Sequence, residues 1–276
     1  MRFQVSIFCI LLSIVAPLAS GAQERVDVPS ELWGEHMSIY AHRGAWTRDS
    51  SKVFIIPENS LAAVEQAALL GYAGVEMDVK YTKDKKLVIM HDAKLNRTTR
   101  LRHGYKKLTG PVKVSNLTLR ELRRDYVHAS SDPSQRRKIP TLKQMLKACR
   151  KHKLIPMLHS SIFESYEMAQ KIMGDKWICF TRDLRMCKKA REISGCLILY
   201  SINGGTPEEL AATLTEIGGP CGVSTMKYGL YTNEFIDKLT ENGFHVQASV
   251  FPAEKEKEAI NNGVTIVLTD NLRPNK

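Results

Sequence analysis

The 276-residue sequence is short of several things. Six cysteines are too few for a disulfide framework at this length. No apolar run reaches the ~20 residues that span a bilayer. Glycine and proline are modest, at 17 and 11, and 43% hydrophobic with 25% charged residues is ordinary globular composition. Disorder and collagen-like repeats are therefore excluded. Acids are also scarce, 29 against 40 Lys and Arg, which leaves a net charge of +11. That surplus points to anionic partners such as phosphates or acidic lipids. No nucleic-acid motif accompanies it, and scattered surface lysines explain charge of this kind, so nucleic acid is not expected.

The N-terminus has its own pattern. Arg2 is the one charge before an apolar run at 5–18, which Ala19-Ser20-Gly21-Ala22 and the polar Gln23-Glu24 follow. This predicts a secretory signal peptide over 1–22, an extension over 23–36 and a folded domain over 37–276, exported to a periplasm or the medium. An uncleaved N-terminal anchor is the alternative. No cysteine follows the small residues, so lipid attachment is not indicated. The mature chain of about 254 residues matches the ~250 of one (β/α)₈ barrel. Its five cysteines, Cys149, Cys179, Cys187, Cys196 and Cys221, are odd in number and are expected as buried free thiols.

From residue 37 onward, short β-branched runs alternate with helical patterns. Strands are expected at 37–42, 74–81, 87–91, 154–159, 177–181, 196–201, 221–225, 245–250 and 264–268. Helices are expected at 61–70, 118–126, 141–151, 165–173, 207–217, 234–242 and 254–261. Such alternation predicts a parallel α/β sheet. Nine strands are one too many for a barrel. The five-residue join at 82–86 is too short for a parallel crossover, so 87–91 is expected to fold back on 74–81 as an antiparallel hairpin. Eight strands then remain: an α/β fold, a (β/α)₈ TIM barrel with a β-hairpin and basic insertion after its second strand. An open doubly wound sheet is the alternative. The insertion, 97–140, contains Arg97, Arg100, Arg102, Lys106 and Lys107.

Chemistry concentrates at the strand ends. The first strand ends in His42-Arg43-Gly44, where barrel active sites sit. The second carries Glu76 and Asp78 on one face. Two buried carboxylates are costly unless a cation lies between them, and oxygen ligands suit Mg²⁺ or Ca²⁺. Salt bridging to Lys80 is the competing reading. A hairpin centred on 83–85 pairs residues whose numbers sum to about 168, which brings His91 beside the acids. Two histidines, an arginine and two acids suit phosphodiester chemistry. A cation stabilises phosphoryl charge, the histidines move protons, and Arg43 offers a phosphate fork.

The sequence resembles the glycerophosphodiester phosphodiesterase family. The matching segments are His42-Arg43-Gly44, Pro57-Glu58-Asn59-Ser60, Glu76-Met77-Asp78-Val79, Thr82-Lys83-Asp84, Val88-Ile89-Met90-His91-Asp92, Leu95-Asn96-Arg97-Thr98-Thr99, Lys138-Ile139-Pro140-Thr141-Leu142 and Thr269-Asp270. The resemblance implies a metal-dependent barrel enzyme that splits glycerophosphodiesters into glycerol phosphate and an alcohol. It implies catalytic roles for His42 and His91, and metal ligation by Glu76 and Asp78. The family's route uses the substrate's own glycerol hydroxyl as nucleophile, and this sequence is compatible with it. Pro57-Glu58-Asn59-Ser60 reads as a helix start capped by Asn59 or Ser60, or else Glu58 lines the site.

Two departures stand out. The family's third metal carboxylate, in a Glu-x-Lys pattern on the fourth strand segment, is replaced by Pro156-Met157-Leu158-His159-Ser160-Ser161. His159 either takes the ligand position, which favours Mn²⁺ or Zn²⁺, or is an interior hydrogen-bonding histidine. Glu164 is the other candidate to reach back. The family's Trp-Thr-Val-Asn stretch reads Ala248-Ser249-Val250-Phe251, without the indole that would face an organic cation. The expected partner is a small phosphodiester, with an anionic membrane surface as a second candidate. A barrel that binds headgroups without turnover, or a phospholipase acting on intact lipid, are the alternative functions.

Overall fold

The computed structural model describes residues 25–28 and 37–274, so the predicted leader at 1–22 and most of the extension at 23–36 lie outside the described residues. Eight strands form the frame: β1 (Ser38–Ala41), β2 (Gly74–Tyr81), β3 (Ile155–His159), β4 (Ile178–Thr181), β5 (Leu197–Ile202), β6 (Cys221–Thr225), β7 (His245–Ser249) and β8 (Ile266–Thr269). Each pairs in parallel with its sequence neighbour. β8 also pairs with β1, so the sheet closes into a barrel and the open-sheet alternative falls away.

The helices are α1 (Leu61–Leu69), α2 (Leu119–Asp125), α3 (Leu142–His152), α4 (Phe163–Met173), α5 (Leu184–Ile193), α6 (Pro207–Ile217), α7 (Asn233–Thr240) and α8 (Ala253–Asn261). Local chemistry sets several ends. Thr141 with Gln144, and Thr206 with Glu209, form reciprocal capping boxes, and Pro207 occupies the first turn, where its missing N–H goes unneeded. Helix α5 is absent from the sequence expectation. Its buried face is Cys187 and Ala190, small residues among Arg and Lys, so the apolar stripe is faint in the sequence.

Two apolar layers hold the barrel. Inside it, Tyr40, Met157, Ile178, Phe180, Leu199, Ile266 and Leu268 fill the floor. Outside it, the second faces of the strands pack on the helices, with the stacked Tyr166 and Trp177 rings 5.5 Å apart among them. All five described cysteines lie buried and free in that outer layer, as expected. Truncating a fully buried side chain such as Met157 to alanine costs about 2–5 kcal/mol.

The hairpin forms in the predicted register. Leu87–Ile89 runs antiparallel to β2, with Val79 opposite Ile89 and Tyr81 opposite Leu87. Thr82 ties the turn by accepting from the Lys86 amide at 2.9 Å and donating to Asp84 at 2.7 Å. The Met90 amide still donates to the Asp78 carbonyl at 2.9 Å, so His91 follows directly beside the second-strand acids. Residues 97–140 are mostly polar, yet Val114, Leu122 and Ile139 form a small core with Leu95 just before them and with Val88 and Met90 of the hairpin. A two-stranded ladder of Thr99–Leu101 with Tyr126–His128 crosses this insertion.

Candidate active site

The His42-Arg43-Gly44 turn ends β1 on a left-handed bend, with φ of +56° at Arg43 and +79° at Gly44. A Cβ on Gly44 would stand 2.7 Å from that of Ala63, so glycine both allows the bend and lets it rest on α1. The bend aims the Arg43 amide at Glu76 Oε2, 3.0 Å away. Glu76 and Asp78 point from β2 into the barrel and are almost fully buried. Asp78 sits opposite His159 in the β2–β3 register, as alternation requires. His159 Nδ1 lies 3.3 Å from Asp78 and 3.7 Å from Glu76, and its ring rests on Phe180 at 4.7 Å. One donor atom from each of Glu76, Asp78 and His159 lies within 4.8 Å of the others, the spacing of a cation site.

Electrostatics agrees with that spacing. Burial, then the neighbouring Asp78 charge, pushes the Glu76 carboxyl well above the usual carboxylate range. Burial raises Asp78 too, but His159, Asn59 and Arg43 outweigh it and hold Asp78 below its ordinary value. Two adjacent buried acids of which one resists ionising are stabilised by a cation between them. The two oxygen donors and one imidazole fit a divalent ion. Lys80, the partner named in the competing reading, makes no ion pair with the acids; Arg43 Nε lies 3.6 Å from Asp78 instead.

Glu58 is almost fully buried beside Arg43. It accepts from Arg43 at 3.2 Å and takes a two-pronged bond from Arg97 at 2.6 and 2.8 Å. Ser60, not Asn59, caps α1 by accepting from the Ala63 amide. Asn59, left-handed at φ +54°, clamps Asp78 instead, donating to Oδ2 at 2.9 Å and accepting from its amide at 3.3 Å. The helix-start reading of this motif thus holds at Ser60, while Glu58 pairs with Arg43 and Arg97 and is not among the residues that line the cavity. Arg97 does not act as a free cation of the insertion, because Glu58 and Asp92 occupy its guanidinium. Glu164 does not reach the cluster. It bonds to Tyr81 across a neighbouring groove, because α4 starts at Phe163 and carries the side chain outward.

Each predicted catalytic histidine has a carboxylate behind it. His42 Nδ1 is 3.1 Å from both oxygens of Asp270, just past β8, and Trp46 Nε1 donates to Asp270 at 2.9 Å. His91 Nδ1 is 2.6 Å from Asp92, which Arg97 holds at 2.7 Å. Asp270, Asp92, Arg97 and Trp46 received no individual role from the sequence. The strand-end rule that singled out His42 applies equally to Asp270 after β8. His42, Arg43, Glu76, His91 and His159 line one cavity of about 530 Å³, closed on its far side by Phe180, Arg182, Ser201, Met226, Ser249 and Val250. Phe251 is buried against Tyr231, so the 248–251 segment presents no ring to this cavity.

The fold and site define a class: a (β/α)₈ barrel whose cavity holds a carboxylate–imidazole cluster and two carboxylate-backed histidines. Residues 42–202 match the model of the glycerophosphoryl diester phosphodiesterase family, and the chain belongs to that family. Among curated relatives, it is 35% identical over 123 residues to glycerophosphodiester phosphodiesterase 1 of Bos taurus, covering 44% of this chain and 32% of that protein. The match thus spans about a third of that relative's length. Among solved structures, a glycerophosphodiester phosphodiesterase from Parabacteroides distasonis superposes with a TM-score of 0.62 at 23% identity, over 86% of this chain and 94% of that one. An Oleispira antarctica phosphodiesterase in complex with the product sn-glycerol-3-phosphate superposes with a TM-score of 0.66 at 21% identity, over 85% and 93% of the two chains. These structural likenesses show the barrel.

Proposed function

We propose that the protein hydrolyses glycerophosphodiesters to glycerol phosphate and an alcohol, with a divalent cation and two histidines. The observation that carries this is one cavity lined by His42, His91, Glu76 and His159, the last two grouped with Asp78 as a cation site. Glu76, Asp78 and His159 would hold the ion. Bound there, it supplies positive charge to the phosphoryl oxygens. An all-oxygen pair favours Mg²⁺ or Ca²⁺, and the His159 nitrogen shifts the preference toward Mn²⁺ or Zn²⁺.

The histidines move the protons. With Nδ1–H donated to Asp270 or Asp92, each ring turns its Nε2 to the cavity, as a lone pair on the ring that acts as base and as N–H on the imidazolium that acts as acid. One ring takes the proton from the attacking hydroxyl as the new P–O bond forms. The other gives a proton to the alcohol oxygen as the old P–O bond breaks. Water supplies the net O–H, so glycerol phosphate and the free alcohol leave. The two carboxylates hold ring orientation and stabilise each imidazolium. Arg43 stands at the cavity wall, with Glu58 fixing its guanidinium toward the phosphate.

The test is release of glycerol phosphate from glycerophosphodiesters of choline, ethanolamine and glycerol after chelation and readdition of Mg²⁺, Ca²⁺, Mn²⁺ or Zn²⁺. Metal-restored turnover that disappears in His42→Ala and His91→Ala supports the reading. Turnover indifferent to either substitution would sink it. A barrel that binds diesters without turnover is the second reading, and His159 in the third ligand position favours it. Tight metal binding through Glu76 and Asp78 with no turnover of any diester would establish that reading instead.

A further inference from the structure

The positive charge of the chain is concentrated. Residues 97–140 hold twelve Arg and Lys against three acids, nine of the chain's eleven surplus charges. The three acids are committed locally. Glu121 closes the capping box of α2, Asp125 takes a two-pronged bond from Arg124, and Asp132 caps the turn at Pro133–Gln135. Among the described residues, no carboxylate pairs with Arg102, Arg136 or Lys138. These three cations, with Tyr105 and Val127, line a cavity of about 240 Å³. Arg136 lies over the Tyr105 ring at 3.7 Å and donates to the Ser130 carbonyl at 3.2 Å, which fixes its guanidinium at the wall. Arg102 reaches only the Arg123 carbonyl, at 3.5 Å. Three like charges facing one hollow repel, and an anion in it relieves them.

The same end of the barrel exposes apolar side chains. The exposed large hydrophobics among the described residues are Val53, Leu69, Met226 and Tyr228. Three of these four, all but Leu69, stand on the loops after β1 and β6, at the strand ends from which the insertion also rises. Cationic and exposed apolar side chains carried at one end of the barrel suit a surface that meets an anionic bilayer.

We propose that this end of the barrel docks on an anionic phospholipid surface, with a headgroup phosphate seated in the Arg102–Arg136–Lys138 cavity. That cavity shares no lining residue with the catalytic one, so the proposal stands apart from the reaction assigned above. Nucleic acid fits less well. The Tyr105 ring is covered by Arg136 and its hydroxyl is bonded to both the carbonyl and the amide of Ser130, so it offers no face for a base.

The experiment is co-sedimentation of the protein with phosphatidylcholine vesicles, with and without about a third phosphatidylglycerol, at rising salt. Binding is expected to the anionic vesicles alone and to weaken with salt. Arg102→Ser/Lys138→Ala should weaken it about 25-fold, roughly fivefold per basic residue lost. Its thermal midpoint and its turnover of soluble diester should match the parent. Lys147→Ala/Lys151→Ala, which removes equal charge from the exposed face of α3, should bind as the parent does. No binding to anionic vesicles, a double variant that binds like the parent, or an equal loss in the α3 control would overturn the proposal. So would duplex DNA bound as tightly as the vesicles and lost in the same variant.

Discussion

The two histidines face one cavity but are supported differently. His42 ends a barrel strand, its side chain is 17% exposed, and its carboxylate comes from Asp270, 228 residues away and anchored by Trp46. His91 sits on the hairpin, is 39% exposed, and takes its carboxylate from the next residue, which Arg97 holds. The first support is built by closing the barrel, the second by one local turn and its insertion. A buried, long-range support fixes a ring more tightly than an exposed local one, because solvent competes for every contact of the latter. The rigid ring and the looser one share the acidic cluster between them.

Substitutions can break that comparison, starting with what the two sides share. On the proposed mechanism, Glu76→Ala or Asp78→Ala should abolish metal binding by calorimetry and lower kcat/KM on the order of 10³-fold or more, because neither variant could hold the cation that the mechanism places between the acids. His42→Ala and His91→Ala should each cost about 10²- to 10⁴-fold in kcat with metal binding retained. The supports themselves should separate the sides. Asp270→Asn is expected to lower kcat about 10²-fold and Asp92→Asn about tenfold, with KM little changed in both, since Arg97 still bonds to residue 92 and water reaches the exposed His91 ring. Equal losses would show that the buried support confers no advantage.

Much of the fold was legible because strand and helix periods differ and because a five-residue join forbids a parallel crossover. The hairpin register, and with it the position of His91, followed from pairing arithmetic alone. What stayed hidden depends on closure. That Asp270 backs His42 requires β8 to pair with β1, and no local pattern near residue 42 announces it. The division of Glu58, Asn59 and Ser60 among an ion pair, a clamp and a cap depends on one left-handed residue, Asn59, which the sequence permits without requiring it. Arg97 read as a surface cation because its partner Glu58 lies 39 residues away. Helix α5 was missed because small residues bury without a strong apolar signal.

The smallest expected effect concerns what lies behind Asp270. Glu256 of α8 is fully buried, accepts from Thr269 at 2.7 Å and from the Phe251 amide at 3.2 Å, and so ties α8 to the residue before Asp270. Burial pushes its carboxyl up to about 8, against about 4.3 in an unfolded chain. Between those values the native state keeps a proton that the unfolded chain has lost. Unfolding then releases a proton, so stability falls as pH rises through this window, by up to about 1.4 kcal/mol per pH unit. Below the window the contribution is fully present; above about 8 it is gone. Glu256→Gln keeps the acceptor for Thr269 and removes the titration. Denaturant unfolding from pH 5 to 8 should therefore give a flatter profile in the variant than in the parent, with kcat near neutral pH almost unchanged. A parent profile with no downward slope would show that this carboxyl ionises without penalty. The firmness of the His42 side would then rest on Trp46 and the β8–β1 pairing alone.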